Sequence, residues 1–222
     1  MYEELKLLLI SSFSGLISSL ITYPIEVIKT KKQVNFQKVS NHLSGFQQSI
    51  YICMIQQGLK FSLYEYLGNY IKIPFINGLT TGAIQGFLIS HFEIKKTLSQ
   101  IYNQSPYKNY SSLTLRRYLF PIITCRDSLF CGTLFGIYKS DFLDTSDFQK
   151  KVSSAVSSAF ITNPLDVFKS QVCASHNFNL SNLGLKDKFR FFFRGSLYRT
   201  TRMGSRYFII LTLNDKLKDI VK

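Results

Sequence analysis

The fold class this sequence predicts is an all-α membrane protein, six transmembrane helices arranged as three two-helix repeats about a shared axis. The first observation is long stretches that are nearly free of charge, at 7–25, 73–92 and 152–165. Each approaches the roughly 20 residues a bilayer-crossing helix needs once Ser, Thr and Gly are counted as tolerated. The second is a block that closes each of these stretches with an acid and, three residues on, a lysine. Its copies are Pro24-Ile25-Glu26-Val27-Ile28-Lys29, His91-Phe92-Glu93-Ile94-Lys95-Lys96 and Pro164-Leu165-Asp166-Val167-Phe168-Lys169, starting 67 and 73 residues apart. The third is register beyond the block. Nine residues upstream of its first position lie Gly15, Gly82 and Ala155, and nine downstream lie Gln33, Gln100 and Cys173. Self-similarity at a fixed period marks repeated structural units, and small residues allow membrane helices to approach closely. Ionisable groups at the end of a membrane-length helix are costly unless paired, so the shared axis is where function is expected.

Bulk composition alone points elsewhere. A chain of 222 residues with net charge +14 and 45% hydrophobic residues would suit a basic soluble domain, but charged residues are only 18% and thin out over the three stretches. A cleavable signal peptide occurs once, at the N-terminus; the first stretch resembles one and its two later counterparts exclude that reading for them. The cysteines Cys53, Cys125, Cys131 and Cys173 show no CxxC spacing and lie in apolar segments, so they read as small buried hydrophobes rather than disulfide or zinc ligands. His42, His91 and His176 are scattered, and neither a glycine-rich phosphate loop nor a nucleophile-base constellation is present. No enzyme, metal or cofactor is expected.

Taken in order, the helices are placed at 5–32, 45–70, 74–100, 117–142, 148–173 and 195–220. Pro24 and Pro164 are expected to kink the first and fifth, and Pro74 suits a first helical turn, where proline's missing donor costs nothing. The even helices begin near Gly45, Leu119 and Gly195, which puts Phe61, Phe135 and Leu211 in one register sixteen residues on. The repeats then span 1–72, 73–145 and 146–222. The connections 31–44, 101–118 and 174–194 are rich in Lys and Arg with Asp187 as their one acid, whereas on the other side Asp141, Asp144 and Asp147 offset Lys150 and Lys151. That asymmetry orients helices with the basic loops inside. An RNA-binding surface would instead mix aromatic and basic residues on a soluble face, so no nucleic-acid partner is expected.

Three Px[DE]xx[KR]-type blocks in repeat register resemble the mitochondrial carrier family, and the likeness runs over nearly all of the chain. The resemblance implies a monomeric six-helix bundle of pseudo-threefold symmetry that carries a small solute across the mitochondrial inner membrane by alternating access. For a virally encoded copy, in keeping with an Asn-, Lys-, Ile- and Phe-rich composition, the membrane would be the host's. It also implies that the acid of each repeat pairs with the lysine of another, Glu26 with Lys96, Glu93 with Lys169 and Asp166 with Lys29, closing a gate on the matrix side. Gln33 and Gln100 match the family's bracing glutamine. The opposite gate survives only in part, as Tyr64-Glu65 and as Asp215 with Lys218, while Lys139 replaces the second acid. Register would set Glu65 against Phe142, Lys139 against Lys218 and Asp215 against Gly68, leaving no opposite-charge pair. The expectation is an empty protein closed toward the matrix and open toward the cytosol. Phe193-Arg194-Gly195 matches the family's cardiolipin motif, with Arg194 and Gly195 as lipid-binding residues.

The family's substrate-contact level falls at Ile52/Cys53, Arg126/Asp127 and Arg202/Met203. Arg199, Arg202 and Arg206 recur at i, i+3 and i+7 on one helical face. Guanidinium groups match carboxylate or phosphate. The Arg126-Asp127 pair resembles amino-acid-type carriers, including those for S-adenosylmethionine, so a zwitterionic amino-acid-like cargo is expected first and a nucleotide second. The remaining alternative is a degenerate, non-transporting membrane protein, suggested by the short basic connections and the eroded gate.

Overall fold

The computed structural model describes residues 2–34, 46–102, 113–140, 146–174, 191–193 and 195–220. Its principal helices are α1 (Tyr2–Val34), α2 (Phe46–Gly68), α3 (Pro74–Tyr102), α4 (Leu113–Tyr138), α5 (Asp147–Ile161), α6 (Asn163–Ala174) and α7 (Ser196–Ile220). Neighbours in sequence are neighbours in space: α1 lies on α2, α2 on α3, α3 on α4, α4 on α5, α5 on α7, and α7 returns to α1. Six long rods thus close a ring. The seventh, α6, turns inward beneath it and touches α1, α3 and α4.

The stretch expected as one helix over 148–173 is two. Thr162 ends α5 with φ −89° and ψ 1°, and Pro164 is the second residue of α6. Proline has no N–H to give the preceding turn and clashes with it, so the axis breaks there. Pro24, in contrast, sits inside an unbroken α1. The two positions for which a kink was expected therefore differ. A shared local bond does recur in all three repeats: the hydroxyls of Thr30, Thr97 and Ser170 donate to the carbonyl oxygens of Glu26, Glu93 and Asp166, at 3.0, 2.9 and 2.9 Å.

Gly15 and Gly82 set two of the close approaches. A Cβ on Gly15 would stand 3.0 Å from the Cys53 carbonyl oxygen, and one on Gly82 would overlap the carbonyl of Asp127. Only glycine lets α3 lie this near α4, and that contact holds the Arg126-Asp127 segment at its depth in the bundle.

Burial runs opposite to that of a soluble domain. Among the described residues, buried polar or charged ones number 37 against 23 apolar ones, while Leu9, Phe13, Leu20, Ile21, Phe87, Leu88 and Phe160 face outward. Large buried charge and exposed Phe and Leu are the reverse of the usual partition. Among the described residues two stretches, Lys6–Thr30 and Leu119–Tyr138, are long and apolar enough to cross a membrane, fewer than the six expected. The shortfall has a physical cause: α7 carries Arg199, Arg202 and Arg206, α5 is only 15 residues long, and the charge-free part of α3 is made less apolar by Asn77, Gln85 and His91. Among the cysteines, Cys53, Cys131 and Cys173 are buried free thiols as expected of small hydrophobes, but Cys125 is exposed.

Candidate functional site

The acids and lysines of the three repeated blocks converge on the axis. Lys96 Nζ lies 2.9 Å from Glu26 Oε1, Lys169 Nζ lies 3.1 Å from Glu93 Oε2, and Lys29 Nζ is in contact with Asp166 Oδ2. Each pair joins two different repeats, so together they tie all three into one ring. All six residues are nine-tenths or more buried. Buried pairs gain little net stability because desolvation offsets attraction, yet removing one partner costs about 3–5 kcal/mol.

Arginines reinforce the ring in a way the sequence did not suggest. Arg126 Nη2 donates to Glu93 at 2.7 Å and to Asp127 at 2.6 Å, its Nε donates to the same Asp127 oxygen at 2.8 Å, and its Nη1 reaches Asp166 at 3.1 Å. One guanidinium therefore spans three acids. Arg202 Nη2 stands 2.8 Å from Glu26, and Arg199 Nη1 stands 2.7 Å from Asp166, close in distance though without hydrogen-bond geometry. Arg199 Nη2 is better placed on the Thr162 hydroxyl, at 2.7 Å. Residues expected to await cargo thus hold the ring together.

The two glutamines expected as braces part company. Gln33 Nε2 donates to Asp166 at 3.0 Å while its Oε1 accepts from Ser170 at 3.0 Å, so it clamps the Lys29–Asp166 pair. Gln100 Oε1 accepts a long 3.4 Å bond from Thr30 and its Nε2 has no partner. It does not brace Glu26 or Lys96. Ser49, on α2, takes that place with a 2.8 Å bond to Glu26 Oε2.

Further along the even helices the chemistry changes. Beyond Ser49 on α2, Arg126 on α4 and Arg202 on α7 come Phe61 and Tyr64, Phe130, Leu134 and Phe135, and Tyr207, Ile210 and Leu211, all in one buried apolar cluster. Tyr64 stacks on Phe135 with ring centroids 3.8 Å apart, Phe61 meets Phe135 edge-on at 5.7 Å, and Phe130 lies 5.2 Å from Tyr207. The opening expected at this end is filled. Between ring and cluster remains a cavity of about 50 Å³, room for a few waters and no metabolite.

The expectation of no opposite-charge pair at the aromatic end also needs correction. Asp215 Oδ2 lies 2.6 Å from Lys151 Nζ, which lies 2.6 Å from Asp147 as well, and the Tyr138 hydroxyl reaches Asp215 at 3.5 Å. The ion pairs link α5 to α7 within one repeat, so register between repeats could not find them. Lys139 lies over the Tyr138 ring, 5.5 Å from its centroid. Glu65 is exposed on α2; its expected partner Phe142, and the side chain of Lys218, lie outside the described residues.

Of the expected cargo residues, Arg126, Asp127, Arg199, Arg202 and Arg206 line the cavity, and Ile52 is buried but does not; Gln56 and Lys60 take its place on α2. Lys60 went unnoticed in the sequence. The signal was there, a lone lysine in the middle of a helix, which is a functional pointer wherever that helix crosses a bilayer. Gly195 immediately precedes α7 with φ 73°, a conformation side chains resist. Arg194 lies outside the described residues, as do most of the basic connections.

No family model matches this chain. Over 113 residues it is 29% identical to a mitochondrial carrier-like protein of Acanthamoeba polyphaga mimivirus. The likeness is distant. It takes in 47% of this chain and 46% of the viral protein, so the match spans about half the length of each.

Proposed function

We propose that the chain is a transmembrane carrier that exchanges a small charged metabolite by alternating access, with three repeats at 1–72, 73–145 and 146–222 forming a six-span pseudo-threefold bundle. The observation that carries this reading is the ring of inter-repeat ion pairs beneath a polar cavity, inside a bundle whose outer surface is apolar. Here the ring is one gate and the aromatic cluster the other, and the state described above is occluded. Side chains that bridge repeats through charge can part when a competing charge enters, which suits a gate with two states of similar energy. The distant likeness to a carrier-like protein supports the same assignment, and the mitochondrial inner membrane is the compartment we propose from it. Gly195 and its neighbours are proposed to seat a lipid phosphate, as in cardiolipin.

The geometry favours an anionic cargo, which places a nucleotide or polycarboxylate ahead of a neutral amino acid. Asp127 Oδ1 is already occupied by Arg126, and a cationic cargo of the S-adenosylmethionine type would enter a site where cations outnumber acids. Counter-exchange of labelled solutes by the full chain in liposomes tests the function. Saturable exchange of at least one small solute is expected. A second reading, a membrane protein that no longer cycles, is favoured by closure at both ends; retention in carbonate-washed membranes without exchange of any solute would establish it instead.

A further inference from the structure

Cations outnumber carboxylates in the cavity, and two of them stand apart from any acid. Of the described side chains lining it, eight are cationic and four are carboxylates. Lys29, Lys96, Lys169, Arg126, Arg199 and Arg202 each stand against an acid. Lys60 and Arg206 do not: among the described residues neither has a carboxylate within ion-pair distance. Lys60 Nζ bonds the Tyr207 hydroxyl and lies over the Phe130 and Tyr207 rings, 5.1 and 4.8 Å from their centroids. Arg206 Nη2 reaches the Cys53 sulfur at 2.7 Å, and its Nε has no partner. Both residues are buried, at 2% and 5% exposure. A phenol, a thiol and two ring faces are neutral, so they orient these cations without balancing them.

A buried cation persists only where its charge is answered. The ring acids cannot answer these two, since each is engaged by a ring lysine and by an arginine. We propose that Lys60 and Arg206, with Tyr207 between them, form an oxyanion subsite for a cargo group bearing two negative charges, a phosphoryl group or a pair of carboxylates. The inference rests on the carrier reading and deepens it. A single negative charge would leave one of the two cations unanswered. Lys60 lies eight residues, about two helical turns, beyond Ile52, so the subsite sits on the aromatic side of the contact level expected from sequence. Arg202 Nε, also buried and unpartnered, extends it toward the ring. Asp127 Oδ2, buried without a hydrogen-bond partner, is placed to accept an N–H or O–H from the same molecule.

Equilibrium binding to the purified full chain in detergent, read by thermal shift and titration, tests the subsite separately from transport. The probes are inorganic phosphate, a nucleoside triphosphate, a dicarboxylate, a zwitterionic amino acid and S-adenosylmethionine. The phosphorylated or dicarboxylate probes are expected to bind at least tenfold more tightly than the last two, and comparison of phosphate with dicarboxylate identifies which oxyanion fits. Lys60→Gln and Arg206→Gln should each weaken the preferred anion about tenfold, while Lys60→Arg and Arg206→Lys, which keep the charge, should retain most of the affinity and show that the fold is intact. Equal affinity for zwitterion and dianion, or dianion affinity untouched in both glutamine variants, overturns the proposal. Dianion binding without exchange in liposomes overturns the carrier reading and leaves the subsite standing; exchange of amino acids alone does the reverse.

Discussion

The two ends of the cavity are closed by unlike means. At one, three acids, three lysines and three arginines form two groups of ion pairs, Glu26 with Lys96 and Arg202, and Glu93 and Asp166 joined through Arg126; at the other, rings and aliphatic side chains from α2, α4 and α7 interdigitate. An ion-pair ring gains its cohesion from complementary charge and loses it when a charged cargo competes. An aromatic plug gains its cohesion from close contact and yields to anything that separates the helices. A cargo that neutralises cations would therefore loosen the first end directly and the second only by wedging the even helices apart. Under the proposed carrier reading, alternating access needs two closures that do not respond identically, and this pair would meet that need with different chemistry on each side.

The comparison sharpens into an order of sensitivities. Glu93→Gln should be the most damaging change, because it takes the close acid from Lys169 and one of three from Arg126, a loss of about 3–5 kcal/mol read as a fall in unfolding temperature in detergent. Phe135→Ala removes the ring on which both Tyr64 and Phe61 rest, and should cost about 3 kcal/mol; unlike the first change, it should also make that end accessible to thiol reagents at Cys131, one turn away. Gln33→Ala unclamps Asp166 and should cost about 1–3 kcal/mol, whereas Gln100→Ala, with no bond to its pair, should cost less in the same assay. Lys151→Ala should matter least. Its partners Asp147 and Asp215 are 69% and 46% exposed, and pairs with solvated acids contribute about 0–1 kcal/mol. If Lys151→Ala matched Glu93→Gln, the contrast between the two ends would be wrong.

The ring was legible in the sequence because it depends on relations between repeats. Once three blocks are in register, the acid of one and the lysine of another occupy equivalent places, and the structure brings those side chains into contact. What repeats cannot reveal is a single side chain with its own role. Arg126 reaches three acids because one long guanidinium lies near the axis, and nothing in its local sequence sets that reach. Lys60 has no counterpart in register, and Lys151 pairs within its own repeat. The aromatic plug was half visible, in the shared register of Phe61, Phe135 and Leu211, but its packing also depends on Tyr64, Phe130 and Tyr207, which lie outside that register. The helix breaks at Thr162 and runs on through Pro24 although both prolines follow Ile-Thr at the same spacing; the residue that differs is Asn163, which bonds the Phe192 carbonyl, against Tyr23.

The central claim is that the aromatic cluster and the ring alternate as gates around one cargo cavity. Its most direct test joins the cluster across repeats. Tyr64→Cys with Phe135→Cys, in a chain whose native cysteines are replaced by serine, would be linked by a short cleavable bifunctional thiol reagent, and exchange of labelled nucleotide, dicarboxylate and phosphate followed in liposomes. The account predicts exchange before linking, its loss on linking, and its return when the linker is cleaved. Undiminished exchange through the linked protein would contradict it.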